Sequence, residues 1–390
     1  MLRALSSFHA IFFEGVRWMR IVYVLTSLGM GGAERQALAL ADRMAGLGHA
    51  VALLVLRPPL GEEWHTTLQV VHLGIRKTPW SVLNGLVQAR RFLREFRPDL
   101  LHSHSFHANI LARLLKLLTP SAAVLSTVHN VYEGPWMRMM AYRLSDRLAV
   151  CTTAVSQAAA DRFVRLKAVP QLKCFVIPNG IDIAGFTPNA ERRERMRISM
   201  GEGDRFIWLA AGRIVPAKDY PNLLRAFAEV RAACSQAGVD AQLWIAGEST
   251  DAEGMALHAL AAELDLGDSL RCLGLRRDLP GLFDAADAFV MSSAWEGLPL
   301  AAGEAMAMEK PVVTTDAGGT RELIGDAGVI VPVNDQIALG SAMLSVMSLS
   351  FEDRRTMGRA ARERIATRFS MDSTADAWED VYHRLLNPES

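Results

Sequence analysis

The sequence has few cysteines and no long hydrophobic run. Four cysteines are scattered along 390 residues without a Cys-x-x-Cys pair, so we expect reduced, mostly buried thiols and not a disulfide scaffold. No stretch reaches the ~18 uncharged apolar residues that a membrane-spanning helix needs, because the best run, residues 108–118, is interrupted by Arg113 and Lys116. Residues 1–18 also lack a small-residue cleavage site, so a signal peptide is not predicted. These absences indicate a cytoplasmic protein.

Net charge is also absent, since 42 Lys and Arg balance 42 Asp and Glu. The balance hides an asymmetry, because residues 1–180 carry 21 basic and 10 acidic side chains, and residues 181–390 carry 21 and 32. A basic half indicates a polyanionic partner. In two predicted helices of this half, cations interleave with apolar residues, which favours an anionic membrane surface. No nucleic-acid recognition fold is visible, so nucleic acid is not predicted. The cations are Arg90, Arg91, Arg94, Arg97, Arg138, Arg143 and Arg147.

Apolar strands alternate with helical segments along the whole chain. Short strands separated by helices predict parallel sheets that are covered on both faces. The pattern restarts after residues 177–182, where Pro178 and the pair Asn179-Gly180 mark a turn, so a domain boundary is expected near residue 180. Two doubly wound α/β domains would bind a ligand in the cleft beyond the carboxyl ends of their strands. The predicted strands are Ile21–Leu25, Ala50–Leu56, Leu100–Ser103, Val124–Thr127, Ala149–Val155, Phe206–Ala211, Gln242–Ala246, Leu270–Leu273, Ala288–Met291, Pro311–Thr314 and Gly328–Val331.

Glu296 and Glu304 stand on either side of a predicted strand-to-helix turn. Proline is tolerated in the first turn of a helix, so the helix is expected to start at Leu298 or Pro299. A carboxylate accepts hydrogen bonds from hydroxyls, and the free N–H groups of a helix N-terminus favour an anion. The arrangement therefore suits a nucleotide sugar, with its diphosphate beside Gly297 and Leu298. Two solvated surface glutamates are the alternative explanation of the spacing.

Arg213 and Lys218 follow a predicted strand, on a loop that carries Pro216. Arginine offers a planar fork to phosphate oxygens, and lysine offers a compact point charge. Together they could neutralise the charge that develops on a departing nucleoside diphosphate, which is often the largest catalytic contribution. Two cations on a loop are otherwise common surface residues, so the glutamate motif in the same domain is what favours the functional interpretation.

Gly31 and Gly32 lie between the first strand and its helix. A dinucleotide-binding Gly-x-Gly-x-x-Gly that begins at Gly29 would need a glycine where Glu34 stands, so an oxidoreductase is not favoured. A turn without side chains at a helix N-terminus lets a phosphate or a sugar approach the backbone closely. A tight turn that binds nothing is the alternative.

Histidines follow two predicted strands at their carboxyl ends, the side that faces the cleft. His129 and Asn130 follow one strand, and His102, His104 and His107 follow another. Three close histidines could bind a metal ion, but neither a His-Glu-x-x-His motif nor a nearby cysteine supports this, so no metal site is predicted. The three histidines are therefore either a polar wall on the acceptor side or packed and solvated side chains.

These motifs resemble those of glycosyltransferase family 4, the retaining, nucleotide-sugar-dependent enzymes with the GT-B fold. The family's Glu-x7-Glu motif, followed by Ala-Met, is matched by residues 296–306, and its basic pair by Arg213 and Lys218. Its glycine turn is matched by residues 31–34, and its interdomain segment by residues 177–182. The resemblance covers nearly the whole chain, and the order of the four motifs is what makes it specific.

The resemblance implies a role for individual residues. Glu296 would face the donor sugar, Glu304 would face the ribose, and His129 would contact the donor sugar from the first domain. Catalytic roles are expected for His129, Arg213, Lys218 and Glu296. The further substrate-binding residues expected are Gly31, Gly32, Asn130, Arg277 in the base-binding loop, Gly297, Leu298, Glu304, and Gly318 and Gly319 near the diphosphate.

The resemblance also implies a reaction that needs no cofactor and no essential metal. No two aspartates lie two positions apart, so the Asp-x-Asp metal site of the other large glycosyltransferase fold is missing. The acceptor is expected to attack the face that the diphosphate leaves, and the diphosphate is expected to receive the acceptor proton. The acceptor would be a saccharide, in particular a lipid-linked one, which places the protein in the cytoplasm or peripherally on the inner face of a membrane.

The expected organisation has four parts. Residues 1–18 form an extension, 19–178 an acceptor-side Rossmann-like domain and 179–372 a nucleotide-sugar-binding Rossmann-like domain, while 373–390 form a helix that crosses back to the first domain. Two other functions remain open. One is a GT-B-type sugar epimerase, which would rearrange the donor without an acceptor, and the other is a non-catalytic nucleotide-sugar-binding subunit. The donor sugar, its base and the acceptor are not fixed by the sequence.

Overall fold

A computed structural model describes residues 18–29, 31–59 and 64–386, and within these ranges the chain forms two parallel sheets. The first sheet has the order β3-β2-β1-β4-β5-β6-β7, and the second has the order β10-β9-β8-β11-β12-β13. The predicted α/β class with two facing sheets of the GT-B type is therefore confirmed. The strands are β1 (Arg20–Leu25), β2 (Ala50–Val55), β3 (Gln69–His72), β4 (Leu100–His104), β5 (Ala123–Val128), β6 (Cys151–Ala154), β7 (Cys174–Val176), β8 (Phe206–Ala211), β9 (Ala241–Ala246), β10 (Leu270–Gly274), β11 (Ala288–Met291), β12 (Val312–Thr315) and β13 (Val329–Val331).

Helices connect the strands and cover both sheets. Across the ranges that the structure describes, none of them combines the length and the hydropathy of a membrane-spanning segment. The predicted extension, residues 1–18, lies outside these ranges except for Trp18. The helices are α1 (Gly32–Gly46), α2 (Pro79–Phe96), α3 (Phe106–Leu115), α4 (Trp136–Ser145), α5 (Gln157–Arg165), α6 (Ala190–Ser199), α7 (Tyr220–Gln236), α8 (Asp251–Glu263), α9 (Leu279–Ala285), α10 (Leu300–Ala307), α11 (Thr320–Ile324), α12 (Gln336–Ser348), α13 (Phe351–Arg368) and α14 (Met371–Leu386).

Each sheet is buried on both faces, and the central strands divide their side chains between two apolar clusters. In β8, Ile207 and Leu209 pack into one cluster, whereas Trp208 and Ala210 pack into the other. Because neither face is solvated, such strands read as continuous apolar runs. This is why the central strands could be predicted from the sequence.

The sequence does not predict β3 and β7. Both lie at an edge of the first sheet, and they are only four and three residues long. Their residues are half-buried or exposed, and β3 has only two apolar residues between Gln69 and His72. A run as short as these is difficult to separate from a loop by its hydrophobic pattern.

Helix α10 begins at Leu300, one or two residues later than predicted. Pro299 has φ −77° and ψ 98°, which is an extended conformation, so it precedes the helix as its N-cap. Glu296 therefore lies on the loop after β11, and Glu304 lies within the helix, as predicted.

The sheet β1–β7 with α1–α5 is called the first lobe here, and the sheet β8–β13 with α6–α13 the second lobe. The chain passes between the lobes twice, and the two crossings pair with each other, because Ile181 N donates to Phe369 O at 2.7 Å and Met371 N donates to Ile181 O at 2.9 Å. After the second crossing, α14 packs against α1 of the first lobe. Its Tyr382 hydroxyl lies 3.0 Å from the Tyr23 hydroxyl, deep in the first-lobe core.

Candidate active site

A cavity of about 550 Å³ lies between the lobes, at the carboxyl ends of both sets of strands. Its walls begin directly after these strands, with Ser105 after β4, His129 after β5 and Gly212 after β8. This is the position that two facing doubly wound sheets predict. The predicted site residues that line it are Gly31, Gly32, His129, Asn130, Arg213, Lys218, Glu296, Leu298 and Glu304.

Two helices begin at this cavity without a side-chain cap. Gly31 is the N-cap of α1 and Pro299 is the N-cap of α10, and neither residue bonds a helix N–H through its side chain. At α1 the Glu34 carboxylate already bonds its own backbone N–H, whereas the first N–H groups of α10 lack such a partner in their N-cap and attract anions. A Cβ added to Gly32 would lie 3.1 Å from Leu300 Cδ1, so the two helix ends approach each other across the cleft. The arrangement suits a diphosphate held between the lobes.

Lys218 and Glu296 form an ion pair in the second-lobe wall. Lys218 ends a short 3-10 turn, and its Nζ donates to Glu296 Oε1 at 2.5 Å. Ser293 Oγ donates to the same carboxylate oxygen at 2.7 Å, and Glu296 is 8% exposed. Ser292 Oγ in turn donates to the Lys218 carbonyl at 2.8 Å. The loop after β11 thus holds both residues. Ser293 bonds the side chain of Glu296, and Ser292 bonds the backbone of Lys218.

Glu304 is paired with an arginine from the other lobe. Arg35, on α1, forms an ion pair with Glu304 across the cleft, and its guanidinium carbon lies 5.8 Å from the centre of the Phe186 ring. Burial lowers the pKa of Arg35, while the charge of Asp182 raises it. The sequence does not predict Arg35 in the site, because a helix surface commonly carries arginine. The carboxylate that is predicted to face the ribose therefore also ties the two lobes together.

Three glycines predicted to bind substrate lie behind the cavity wall instead. An added Cβ on Gly297 would lie 1.9 Å from the His129 carbonyl oxygen, and one on Gly318, whose φ is +59°, would lie 1.9 Å from the Glu296 carbonyl oxygen. Gly319 N donates to Gly297 O at 3.0 Å. These residues are not among those that line the cavity. Their lack of side chains serves the close contact between the loops of the two lobes.

The residue predicted to bind the base, Arg277, is not among those that line the cavity, whereas Arg276 and Leu275 are. Arg276 donates through Nε and Nη2 to both carboxylate oxygens of Asp278, at 2.7 and 2.5 Å. This hydrogen bonding raises the pKa of Arg276 and lowers that of Asp278. Neighbouring residues of an irregular segment face different sides, and the sequence alone does not fix which one faces the cleft.

The four histidines of the first lobe occupy three different environments. His102 is fully buried, and its ring bonds the Tyr382 hydroxyl at 2.6 Å and Thr127 Oγ1 at 2.8 Å. His104 Nδ1 lies 2.9 Å from His129 Nε2, and His129 lines the cavity. His107 also lines the cavity and is exposed. His102 and His104 are thus packed, and only His107 of the original three contributes to the wall.

Burial keeps the hydrogen-bonded pair of His104 and His129 uncharged. It lowers the pKa of His129 to about 4 and places that of His104 well below its usual range. One neutral ring therefore donates to the other at neutral pH, since a neutral imidazole has one donor and one acceptor nitrogen. Within the described ranges, no three His, Cys, Asp or Glu residues are arranged to hold a metal ion.

Two buried carboxyl groups in the first-lobe wall are not predicted by the sequence. Glu133 accepts from His129 N at 3.1 Å and from the Tyr142 hydroxyl at 2.7 Å, and burial raises its pKa to about 7. Burial likewise raises the pKa of Glu34, while Arg213 acts in the opposite direction. Glu34 ends the matched glycine turn, residues 31–34, but is given no role by it, and Glu133 belongs to no motif, so only the fold shows that both reach the cavity. Arg213 thus approaches Glu34 from the other lobe.

Comparisons with known proteins agree with this geometry. A family model described as Glycosyl transferases group 1 matches residues 191–364, and one described as Glycosyltransferase Family 4 matches residues 30–184. The D-inositol 3-phosphate glycosyltransferase of Saccharomonospora viridis is 30% identical over 328 residues, which is 78% of this chain and 74% of that protein. The Escherichia coli UDP-Gal:alpha-D-GlcNAc-diphosphoundecaprenol alpha-1,3-galactosyltransferase is 25% identical over 320 residues, which is 77% of this chain and 79% of that protein.

Solved structures share the same fold. The Anabaena HepE protein in complex with UDP and glucose has a TM-score of 0.82 at 20% identity, covering 93% of this chain and 99% of its own. The sucrose-phosphate synthase of Thermosynechococcus elongatus also has a TM-score of 0.82 at 20% identity, covering 95% of this chain and 100% of its own. At this identity the structural likeness speaks for the fold alone.

Proposed function

Because the chain belongs to glycosyltransferase family 4 and has the two facing sheets of the GT-B fold, we propose that it is a retaining hexosyltransferase. It transfers a hexosyl unit from a nucleoside diphosphate sugar to a hydroxyl group of a lipid-linked saccharide, in the synthesis of a cell-surface polysaccharide. The observation that carries the proposal is the Lys218–Glu296 pair beside the uncapped N-terminus of α10. A cation, a hydrogen-bond acceptor for hydroxyls and an anion-binding helix end meet at one cleft wall.

The reaction that we propose is the same-face transfer that the family resemblance implies. The bond between the acceptor oxygen and sugar C1 forms on the face where the bond between C1 and the phosphate oxygen breaks, and the acceptor proton passes to the departing diphosphate. Arg213, Lys218 and the helix end stabilise the charge on that leaving group, so no metal or cofactor is required. Glu296 accepts hydrogen bonds from the sugar, as Glu304 does from the ribose, and His129 contacts the sugar from the first lobe. Treatment with EDTA should leave the transfer rate unchanged.

The two lobes divide the substrates in this proposal. The second lobe, residues 179–372, holds the nucleotide sugar, and the first lobe, residues 19–178, holds the acceptor, as the split in charge between the halves supports. Closure of the lobes over the donor excludes water and so limits hydrolysis.

A lipid-linked acceptor and peripheral membrane association are supported by the surface of the first lobe. Helices α2 and α4 expose large apolar side chains, including Trp80 at 75%, Trp136 at 72% and Leu144 at 77%. The same helices carry five of the arginines noted above, which are Arg90, Arg91, Arg94, Arg138 and Arg143. Exposed apolar groups among cations favour anionic lipid. The name of the Escherichia coli relative also specifies a lipid diphosphate acceptor.

Co-sedimentation with liposomes tests the membrane proposal. The bound fraction of the protein should rise with anionic lipid and fall with salt, and a bound fraction that responds to neither would contradict the proposal.

One assay separates this function from its alternatives. The protein is incubated with labelled UDP- and GDP-hexoses, with and without a lipid extract, and the position and anomeric configuration of the sugar are followed by NMR. Transfer with retained configuration supports the proposal, and transfer with inversion contradicts the mechanism. Isomerisation of the donor without an acceptor supports a GT-B-type epimerase, and binding without turnover supports a non-catalytic subunit.

A further inference from the structure

Part of the first-lobe wall is not used by the donor in this scheme. It contains Phe106 and His107 at the start of α3 and Arg138 on α4, and all three side chains line the cavity. Arg138 is held in place, because Nη1 donates to the Glu133 carbonyl at 2.7 Å and its guanidinium carbon lies 4.7 Å from the centre of the Phe106 ring. Among the described residues it forms no ion pair with a carboxylate. A fixed guanidinium with free donors is well suited to an anion.

His107 shares this part of the wall with Arg138, and both side chains line the cavity. The pKa of His107 is lowered by burial, and the charges of Arg138 and Arg57 lower it further. A bound anion would counteract the effect of these charges and could accept hydrogen bonds from Arg138 and His107.

The acidic groups that face this corner do not prevent anion binding. Glu133 already accepts from His129 N and from the Tyr142 hydroxyl, and with a pKa of about 7 it can take up a proton when an anion arrives. Glu34 is near Arg57 and Arg213, and both lower its pKa against the effect of burial.

We propose that this part of the wall, formed by Phe106, His107 and Arg138 and called the cationic corner, binds the phosphate or diphosphate group of the acceptor. The inference rests on the proposed transferase function and adds the chemical class of its second substrate. The donor diphosphate is assigned to the other lobe, at Arg213 and Lys218. Arg138 directly follows Trp136 and Met137, which are 72% and 62% exposed on α4. In a lipid diphosphate, a charged group is likewise followed by an apolar chain. The diphosphate could therefore contact Arg138 while the hydrocarbon contacts Trp136 and Met137, so a lipid diphosphate is the favoured source of this group.

Binding to UDP-saturated protein tests the site, because UDP occupies the donor position. Inorganic pyrophosphate is titrated by calorimetry into the wild type, Arg138→Gln and Arg143→Gln. Arg143 is exposed on the same helix and is absent from the cavity wall, so it is the matched control. We expect pyrophosphate to bind about 10-fold more weakly or worse to Arg138→Gln, since a charge-assisted bidentate contact is lost, and equally to Arg143→Gln. Arg138→Lys, which keeps the charge without the fork, should lie between. Equal binding to the wild type and Arg138→Gln, with both folded, would overturn the proposal.

The source of the phosphate is distinguished by three further ligands. Geranyl diphosphate should bind several-fold more tightly than pyrophosphate if the natural group is a lipid diphosphate, and Trp136→Ser should remove that gain. Tighter binding of N-acetylglucosamine 1-phosphate instead would indicate a free sugar phosphate. Geraniol binding as tightly as geranyl diphosphate would contradict any phosphate site. Failure of UDP to bind would count against the proposed transferase, whereas normal UDP binding without an effect of Arg138→Gln counts against the cationic corner alone.

Discussion

The two walls of the cavity are each assembled from several strand ends, and they differ in which residues belong to a motif. The second-lobe wall comes from residues 211–218, 246–248, 275–279 and 296–304, with Asn179, and the first-lobe wall comes from residues 31–35, 105–107 and 129–138, with Trp64. Glu296 and Glu304 in the second lobe keep a spacing that can be read in the sequence. Arg35 and Glu133 in the first lobe belong to no motif, so their place in the wall depends on the register of the sheet that brings them together.

The walls also differ in charge. In the second lobe the glutamate is matched directly by a lysine, as Glu296 is by Lys218. In the first lobe, burial raises the pKa of Glu133 and lowers that of His129, so both groups are held closer to neutrality. We expect the second lobe to supply fixed charge for the leaving group, and the first lobe to supply neutral hydrogen-bonding groups for sugars beside the guanidinium of Arg138.

The largest effect is expected from neutralising the second-lobe carboxylate. In Glu296→Gln the amide keeps the shape of the side chain but loses the charge that pairs with Lys218. Loss of one preorganised electrostatic contact typically lowers turnover by about 100-fold or more. Initial rates of sugar transfer, measured with a saturating donor, give the effect.

The matched control is Glu263→Gln, the same chemical change on an exposed residue of the same lobe. It should transfer sugar at the wild-type rate. Circular dichroism and melting curves should be alike for the three proteins. Near-normal turnover of Glu296→Gln would show that the negative charge of Glu296 does not contribute to catalysis. The proposed difference in charge between the two walls would then have no functional meaning.

The next effect concerns the contact that holds the walls together. In Gly297→Ala the new Cβ would lie 1.9 Å from the His129 carbonyl oxygen, so the loops must separate. Because a misplacement of about 1 Å can lower a rate by about 100-fold, we expect a loss of that order. Gly46→Ala, where an added Cβ meets nothing within 4 Å, is the control and should keep its rate. Small-angle scattering should show a larger radius of gyration for Gly297→Ala, and an unchanged rate and radius would contradict the packing argument.

The sequence predicts residues of both walls where a motif marks them, and it misses the residues that only the fold brings to the cavity. Arg213, Lys218 and Glu296 could be assigned to one wall from their spacing after predicted strands. Glu133 reaches the cavity only because its loop folds back so that the carboxylate meets His129 N. The place of Arg35 in the site cannot be predicted from the sequence either, because its partner Glu304 lies in the other lobe.

The direction in which a short turn or a loop residue faces also cannot be predicted from the sequence. The glycines at 318 and 319 are readable as a turn, but whether a turn faces a ligand or a neighbouring loop depends on tertiary contacts. The same limit explains why Arg276 and not Arg277 lines the cavity. The central strands are predictable because burial on both faces imposes an apolar composition, whereas β3 and β7 at the sheet edge escape that requirement.

The pH dependence of stability should separate the first-lobe wall from the second. The pKa of Glu133 is raised from 4.5 to about 7 in the folded protein. The stability that this group contributes is therefore fully present below pH 4.5 and is lost as the pH rises through 7. In Glu133→Gln that loss does not occur, so its stability relative to wild type should rise by about 3 kcal/mol between pH 4.5 and pH 8.

Urea unfolding at a series of pH values measures this difference for Glu133→Gln. Glu95→Gln, on the exposed surface of α2 in the same lobe, provides the control and should follow the wild-type pH profile. A constant offset between Glu133→Gln and wild type at every pH would show that Glu133 titrates normally. The first-lobe wall would then be no closer to neutrality than the second.

The smallest effect concerns the helix that returns from the second lobe to the first. Tyr382 on α14 places its hydroxyl 2.6 Å from His102 Nδ1 and 3.0 Å from the Tyr23 hydroxyl, and all three side chains are buried. Tyr382→Phe removes the shared partner and leaves two buried polar atoms unsatisfied, which should cost about 2 kcal/mol of unfolding free energy. Tyr132→Phe, at a residue that is 47% exposed, should cost almost nothing. Because the His102 network lies beneath the first-lobe wall and not in it, turnover per folded molecule should stay at the wild-type level. A fall in turnover without a fall in stability would instead extend the functional wall of the first lobe into its core.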